Sequence, residues 1–199
     1  MPLSLAFYDR DVVVVARELL GAVIRKDDVV LRITEVEAYT WPGDTACHAR
    51  SGRTQRNLAL WGPHGRAYVY LCYGMHHMLN IVTGGDADAA AVLVRACEPI
   101  AGHETIAQRR GGRNGPDALA GPGKVAAALA LDRTWTDHPV YRTGGLSLEV
   151  GEAPAGILVG PRIGIDYAEP AHRELPWRFA IADNRSVTQR SALRRLGGA

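Results

Sequence analysis

The chain has 199 residues, of which 47% are hydrophobic and 22% are charged. This length and composition predict one buried core and a single domain over residues 1–199. The formal net charge is only +2, but Lys26 and Lys124 are the only lysines, and arginine binds phosphate through a planar fork. The weak overall charge therefore does not exclude a basic face that binds an anionic partner.

The cysteines and the apolar runs indicate the compartment. The three cysteines include no C-x-x-C pair, which argues against both a disulfide framework and a zinc ribbon. No apolar run approaches the roughly 20 residues that span a bilayer, and acidic and basic residues stand where a signal peptide would be apolar. We therefore expect a soluble intracellular monomer without membrane contact, in the cytoplasm or the nucleoid if the source is bacterial.

The N-terminal part predicts a helix followed by a hairpin. Residues 12–20 form an apolar run that Asp9 could cap, and Gly21 stands where a helix usually ends. Two β-branched runs, residues 22–25 and 29–39, flank a polar turn, as in a β-hairpin. The second strand is the longer one and leads into a loop.

The end of that second strand carries two carboxylates. Side chains two apart on a strand point the same way, so Glu35, Glu37 and Tyr39 share one face. The two carboxylates would lie about 7 Å apart, a separation that fits a glycosidase-like pair. On spacing alone, salt-bridged surface residues are the commoner explanation. Both interpretations stay open at this point.

A long loop and a second hairpin follow. Residues 40–65 show no regular pattern, and loops of this length in compact domains are usually functional. Strands are predicted at residues 67–72 and 78–83. Tyr73 and Met75 lie near the tip of this hairpin and would be exposed. Such exposure is unusual for apolar groups unless they meet a partner.

The rest of the chain predicts short elements. Residues 90–98 form an apolar strand interrupted by Arg95, and a charge in such a place normally has a partner. The other predicted elements are helices at residues 101–110 and 125–131 and strands at residues 146–150, 157–165 and 179–182. Antiparallel strands with helices set apart predict an α+β fold.

The sequence argues against two common kinds of ligand site. His48, His76 and His77 show no H-E-x-x-H spacing, and adjacent histidines on a strand face opposite sides, so we expect no metal. The segment 121–125 is like a phosphate-binding loop only superficially. Ala118 replaces its first glycine, and a valine replaces the hydroxyl residue that holds magnesium. We therefore expect no cofactor.

Several segments in a fixed order are more specific. They are Thr34-Glu35-Val36-Glu37-Ala38-Tyr39, Asp44, Ala46, His48-Ala49-Arg50, Thr54-Gln55-Arg56-Asn57, Tyr68-Val69-Tyr70-Leu71-Cys72-Tyr73-Gly74-Met75, Asn80-Ile81, Val94-Arg95-Ala96-Cys97-Glu98-Pro99 and Gly121-Pro122-Gly123-Lys124. This set resembles the alkyladenine DNA glycosylase family, the mammalian type of 3-methyladenine DNA glycosylase, over residues 19–131 and more loosely over 162–179. The loop between Gly52 and Thr54 is shorter than in the family, and residues 166–177 follow its pattern poorly.

The resemblance implies a fold and an activity. The fold would be a curved antiparallel sheet with surrounding helices and a protruding hairpin. The enzyme would rotate damaged purines out of duplex DNA and hydrolyse their N-glycosidic bond. Glu37 would activate the attacking water, Arg95 would help to hold that water and Glu37, and Glu35 would be structural. The residues around the flipped base would be Tyr39, His48, Tyr70 and Asn80.

The resemblance also implies a DNA interface. Tyr73, next to Met75, would fill the hole left by the flipped base. Arg53, Arg56 and Lys124 would contact phosphates. Water as the nucleophile makes the enzyme monofunctional, acting on 3-methyladenine, 7-methylguanine, hypoxanthine or ethenoadenine and leaving an intact abasic site. Two alternatives stay open, which are a module that binds damaged nucleic acid without cutting it and a metal-dependent hydrolase.

Overall fold

An antiparallel sheet organises the computed structural model, which describes residues 1–85 and 88–197. Within those residues nine strands form one sheet that does not close into a barrel. The strands are β1 (Val23–Lys26), β2 (Val29–Tyr39), β3 (Ala67–Cys72), β4 (His76–Thr83), β5 (Ala90–Ala101), β6 (Leu146–Glu149), β7 (Ile157–Gly160), β8 (Arg178–Ile181) and β9 (Arg194–Arg195). The order across the sheet is β3-β4-β5-β2-β8-β7-β9, and β1 joins β2 to β6.

Strand β2 is hydrogen-bonded along both edges. One edge pairs with β5 from Val30 to Tyr39. The other edge pairs first with β1 and then, from Glu35 to Glu37, with β8. The register with β5 shifts on both sides of Glu35, an irregularity of the kind that re-aims side chains. This central position explains why a strand with two glutamates is buried over nearly its whole length.

The described residues also contain five short α-helices. They are α1 (Leu5–Tyr8), α2 (Val12–Glu18), α3 (His103–Arg109), α4 (Pro122–Ala128) and α5 (Pro170–Arg173). Helix α2 packs against β2 and β5, and α4 packs against β4 and β5. None of the helices in this part of the chain has the length and apolar character needed to cross a bilayer.

Alternate residues of the strands divide the interior into two clusters. Ile81 and Val92 face the main core, which also contains Leu19, the residue directly after α2. The neighbouring Val82 and Ala91 belong to a smaller cluster with side chains of the long loop. Because successive strand residues point to opposite faces, the sheet has helices on one face and the loop on the other. The loop face is the one that carries the cavity described below.

The predicted α+β fold is confirmed, and both hairpins form. The prediction that Asp9 caps the first long helix is wrong. Asp11 is the cap, because it directly precedes the first helical residue and its Oδ1 accepts hydrogen bonds from the backbone N–H groups of Val13 (3.0 Å) and Val14 (3.1 Å). The four-residue helix α1 before it was not predicted from the sequence.

Other predicted boundaries shift by a few residues. The strand predicted at residues 157–165 ends at Gly160, since Pro161 has no N–H to continue the ladder. The helix predicted at residues 101–110 begins at His103, because Ala101 is still paired with β2. The helix predicted at residues 125–131 begins and ends earlier, as α4, with proline in its first turn. Strand β4 starts two residues earlier than predicted.

Candidate active site

A cavity of about 450 Å³ opens on the loop face of the sheet. Its volume lies in the range of small-molecule sites. Strand side chains supply one side of it, and Ile163, Gly164 and Tyr167 from the C-terminal third supply another. The predicted site residues that line it are Tyr39, His48, Arg56, Tyr70, Tyr73, Asn80 and Arg95. The cavity therefore gathers most of the side chains named from the sequence.

The sheet register explains how separate strands meet at this cavity. Tyr68 of β3 pairs with Asn80 of β4, Asn80 pairs with Leu93 of β5, and Leu93 pairs with Glu37 of β2. These four residues form one row across the sheet on the loop face. Arg95 lies two residues beyond Leu93 and therefore points the same way. The row brings a carboxylate and a guanidinium beside a set of aromatic rings.

Glu37 is fully buried and accepts three hydrogen bonds. Its Oε2 accepts from the Tyr39 hydroxyl at 2.8 Å and from Arg95 Nη1 at 3.2 Å, and its Oε1 accepts from the Ile163 backbone N–H at 2.7 Å. The three donor residues line the cavity, whereas Glu37 lies directly behind them. The three donors therefore orient the carboxylate and cover it from the cavity.

The groups around Glu37 keep their protons. Burial, together with the charge of Glu37, raises the pKa of Tyr39 well above that of free tyrosine, so its hydroxyl stays a donor. Burial alone would lower the pKa of Arg95, but the charges of Glu37 and Glu35 raise it. Both groups therefore present hydrogen atoms to the carboxylate throughout the neutral pH range.

Three aromatic rings form one side of the cavity. The ring centroids of His48 and Tyr70 lie 4.3 Å apart at 75°, and those of Tyr68 and Tyr70 lie 5.6 Å apart. His48 Nδ1 lies 3.3 Å from the Tyr68 hydroxyl. Burial, followed by the charges of Arg56 and Arg50, lowers the pKa of His48 to about 4. The imidazole is therefore neutral at physiological pH.

The long loop is held by its own side chains. Asn57 Nδ2 donates to the carbonyl oxygens of His48 (3.0 Å) and Gly52 (2.9 Å), and its Oδ1 accepts from the Thr54 N–H (2.7 Å). The Asn57 side chain thus pairs three backbone groups of the loop, which in a sheet or a helix would be paired with other backbone groups. These hydrogen bonds fix the loop segment that contains His48, which lines the cavity.

Sequence reasoning missed the buried residue Arg162. Its Nη1 and Nη2 donate to the two carboxylate oxygens of Asp44 at 2.6 and 2.9 Å, and Nη1 also donates to the Ala38 carbonyl at 2.9 Å. The guanidinium lies 4.6 Å from the Tyr39 ring centroid and 5.2 Å from that of Trp177. Its one signal in the sequence was an arginine at the edge of the segment with the looser resemblance. Arg162 therefore anchors the backbone directly before Ile163, the residue whose N–H donates to Glu37.

The tip of the β3–β4 hairpin projects from the fold. Tyr73 is 85% exposed and Met75 is 72% exposed, and Tyr73 has a φ of +50°. A bulky residue in the left-handed region is strained by about 1 kcal/mol or more. Because Tyr73 gains so little burial in return, its position stabilises the fold little and leaves the ring free to meet another molecule.

The remaining predicted interface residues lie at the rim of the cavity or away from it. Arg53 is exposed, and Arg56 lines both the main cavity and a polar one of about 260 Å³ beside it. Lys124 Nζ donates to the Asp117 carbonyl at 2.9 Å. Over residues 1–85 and 88–197, His, Cys, Asp and Glu form no group of three that could hold a metal ion.

Known proteins similar to this chain share one description. Residues 6–185 match the family model described as methylpurine-DNA glycosylase. A protein of Nitrosococcus oceani named as a 3-methyladenine DNA glycosylase is 59% identical over 187 residues, which cover 94% of this chain and 93% of that protein. The DNA-3-methyladenine glycosylase of Arabidopsis thaliana is 54% identical over 179 residues, which cover 89% of this chain and 70% of that protein.

Proposed function

The chain belongs to the methylpurine-DNA glycosylase family, and on that premise we propose that it excises alkylated or deaminated purines from duplex DNA by hydrolysis. The observation that carries this proposal is the aromatic cavity with Arg95 in its lining and the buried Glu37, paired with Arg95, directly behind it. An aromatic pocket suits a flipped base, and a carboxylate at its end suits attack on the sugar.

Selection of damaged bases follows from the aromatic lining. The 3-methyladenine and 7-methylguanine bases carry positive charge, and electron-rich ring faces attract a cation by about 0.5 to 2 kcal/mol. Tyr39 and Tyr70 both line the cavity with protonated phenol rings, and His48 beside them is neutral. A cationic base would therefore stack more favourably here than an undamaged one.

Hydrolysis needs an oriented water and a negative charge near the sugar. Glu37 would take the proton of the attacking water, and its carboxylate would stabilise the positive charge that develops on the sugar as the base departs. Arg95, bonded to Oε2 of Glu37, would hold the carboxylate and the water in line. The Ile163 N–H fixes the other oxygen, so the carboxylate is already oriented before the substrate binds.

The function is tested by incubating the protein with duplexes that carry one alkylated purine. We expect release of the free base, an abasic strand that stays uncut, and no loss of activity in chelator. Borohydride should trap no covalent adduct, because such an adduct needs an amine that can attack the sugar. The Lys26 ammonium is hydrogen-bonded to Asp27 and lies over the Trp135 ring, and Pro2 is paired with Glu149 through the backbone. Tight lesion binding without base release would favour a binding module.

Three further outcomes would contradict the proposed chemistry. A trapped adduct that vanishes when Pro2 or Lys124 is changed would replace water by an amine and reduce Glu37 to an accessory role. Activity lost in chelator and restored by a divalent metal would favour a metal-dependent hydrolase. Cleavage of the strand beside the abasic site, without added base or heat, would contradict the monofunctional mechanism.

Tyr73 is expected to act only when a base is flipped. The Tyr73→Ala variant should bind undamaged duplex as the wild type does but lose affinity for lesion duplex, because an inserted wedge matters only once the stack is open. Met75 lies beside it and would support the wedge. Fluorescence anisotropy with both duplexes measures the difference. Equal losses on both duplexes would contradict the role of Tyr73.

Arg53, Arg56 and Lys124 are expected to contact phosphates. Each alanine substitution should weaken lesion and undamaged duplexes alike and reduce the slope of log K against log salt by about one. Arg25→Ala is the matched control, because Arg25 pairs with Glu149 on the sheet and does not line the cavity. An unchanged salt slope in one of the three variants would remove that residue from the interface.

Asn80 is expected to select against guanine. It is buried and lines the cavity, and its Nδ2 donates to the Tyr68 carbonyl at 3.2 Å, which fixes the side chain. By crowding the 2-amino group, it would disfavour guanine. Asn80→Ala should therefore raise the release of guanine-derived relative to adenine-derived bases, with Asn184→Ala as a control away from the cavity. An unchanged ratio would remove Asn80 from the specificity.

A further inference from the structure

A buried network of charges lies behind the cavity. The six groups are each 7% exposed or less, and carboxylates and guanidiniums are equal in number. They are Glu35, Glu37, Asp44, Arg95, Arg162 and Arg178. Buried charges are tolerated when they are paired and hydrogen-bonded. The family resemblance and the proposed mechanism use only part of this network, and Glu35 has no assigned role in the chemistry.

Glu35 lies on the opposite side of Arg95 from Glu37. Its Oε1 is 3.4 Å from Arg95 Nε, while Arg95 Nη1 is 3.2 Å from Glu37 Oε2. The planar guanidinium therefore lies between two carboxylates two residues apart on β2. It donates a hydrogen bond to Glu37 and makes an ionic contact with Glu35, whereas its Nε has no hydrogen-bond partner. The register of β2 with β5 shifts on both sides of Glu35, where β2 is also paired with β8.

Glu35 is itself fixed from β8 and from the C-terminal segment. Arg178 Nη1 donates to Glu35 Oε1 at 3.2 Å, and the Thr188 N–H donates to Oε2 at 2.7 Å. The Thr188 hydroxyl lies 2.7 and 2.8 Å from the two carboxylate oxygens. Such a set of donors holds the Glu35 carboxylate stationary, as a support for another group requires.

We propose that Glu35 is a positioning residue for the reaction, which holds the Arg95 guanidinium against Glu37 and limits how strongly Arg95 stabilises the charge of Glu37. The proposal rests on the proposed function. Without Glu35, Arg95 would lose its rear partner and could turn towards the cavity. The uncompensated positive charge near Glu37 would also keep that carboxylate ionised at lower pH and make it a weaker base.

The direct test is Glu35→Gln, assayed in single turnover on a 7-methylguanine duplex. This base already carries its charge, so the acid limb of the pH profile reports the enzyme rather than protonation of the leaving group. We expect the plateau rate to fall about tenfold. The acid limb should move to lower pH by about one unit, the effect of a close opposite charge on a carboxylate. An unmoved acid limb would overturn the electrostatic part of the proposal.

The other charged and titratable groups that face Glu37 keep their chemical identity in this variant. They are Tyr39 on β2, Tyr70 on β3, Arg95 on β5, Arg178 on β8 and Arg162 next to Ile163. Thr188→Val is the matched control, because it removes one hydrogen bond to Glu35 but no charge. It should lower the melting temperature without moving the acid limb. An acid limb that moves equally in Thr188→Val would point to a structural effect alone.

Glu35→Gln leaves the buried Arg178 without its carboxylate partner and can fail to fold, so a second variant is needed. Glu35→Gln/Arg178→Met removes one charge of each sign. Its acid limb should return close to that of the wild type, while its plateau stays below the wild-type plateau because Arg95 still lacks its rear partner. A wild-type plateau in this double variant would show that Glu35 is only a structural residue and overturn the proposal.

A measurement without substrate separates the two proposals. Carbon-13 NMR of labelled glutamate, with the Glu37 signal assigned from Glu37→Gln, follows the titration of Glu37 directly. In Glu35→Gln its midpoint should move to lower pH, whether or not the protein releases bases. If the wild type releases no base but the Glu37 midpoint moves in Glu35→Gln, the proposed function alone is rejected. Base release with an unmoved midpoint would reject the role of Glu35 alone.

Discussion

Replacing Glu37 by glutamine is expected to lower base excision by at least about a hundredfold, the usual contribution of a positioned base. The amide keeps the shape of the carboxylate but can neither take a proton from water nor stabilise a cationic sugar. The cavity lining is unchanged, so binding to lesion duplex should survive. Single-turnover release of base from an alkylated duplex, beside anisotropy on the same duplex, measures both quantities.

The variant also has a predictable structural cost. Glu37 accepts from Tyr39, Arg95 and the Ile163 N–H, and an amide has only one oxygen, so at least one donor loses its acceptor. An unsatisfied buried donor costs about 1 to 3 kcal/mol. Excision rates must therefore be given per folded molecule, with the folded fraction taken from circular dichroism.

A matched control and a contradicting result keep this prediction sharp. Glu149→Gln makes the same chemical change in the ion pair with Arg25 at the surface, and excision should stay at the wild-type rate. Near-normal excision by folded Glu37→Gln would remove Glu37 from the role of base. If Glu35→Gln were then the inactive variant, the two glutamates would have to exchange roles.

The part of the site that lies on strands could be predicted from the sequence. Alternation in polarity already puts Glu37 and Tyr39 on one face, and the structure places both beside the cavity with Arg95 from the neighbouring strand. Strand periodicity is a local property, so it survives without knowledge of the partner strands. The chemical roles of these residues came from the family resemblance, since spacing alone left two interpretations open.

The C-terminal side of the cavity could not be predicted in the same way. Residues 161–169 form an irregular segment with no repeating pattern to read. Its position depends on the pair between Arg162 and Asp44, which are separated by 118 residues, and on the hydrogen bond from the Tyr167 hydroxyl to the Ala46 carbonyl at 2.8 Å. Contacts between distant segments leave no local signal in one sequence. The same holds for the pairing of Glu35 with Thr188.

Breaking the buried Arg162–Asp44 pair is expected to have a large effect on stability. We expect Arg162→Met to lower the free energy of unfolding by about 3 to 5 kcal/mol, because it leaves the Asp44 carboxylate buried without its partner. For a chain of this size the melting temperature should fall by roughly 10 °C. Urea unfolding followed by circular dichroism measures the free energy, with the slope checked against that of the wild type.

The surface pair of Arg25 and Glu149 is the matched control. Arg25 keeps 48% of its side chain exposed, so Arg25→Met should cost at most about 1 kcal/mol. The double variant Arg162→Met/Asp44→Asn should recover part of the lost stability, since no uncompensated charge then remains buried. Equal losses in Arg162→Met and Arg25→Met would contradict the prediction. Folded Arg162→Met should also release bases more slowly. Ile163, whose N–H orients Glu37, directly follows Arg162 in the chain and would no longer be fixed by it.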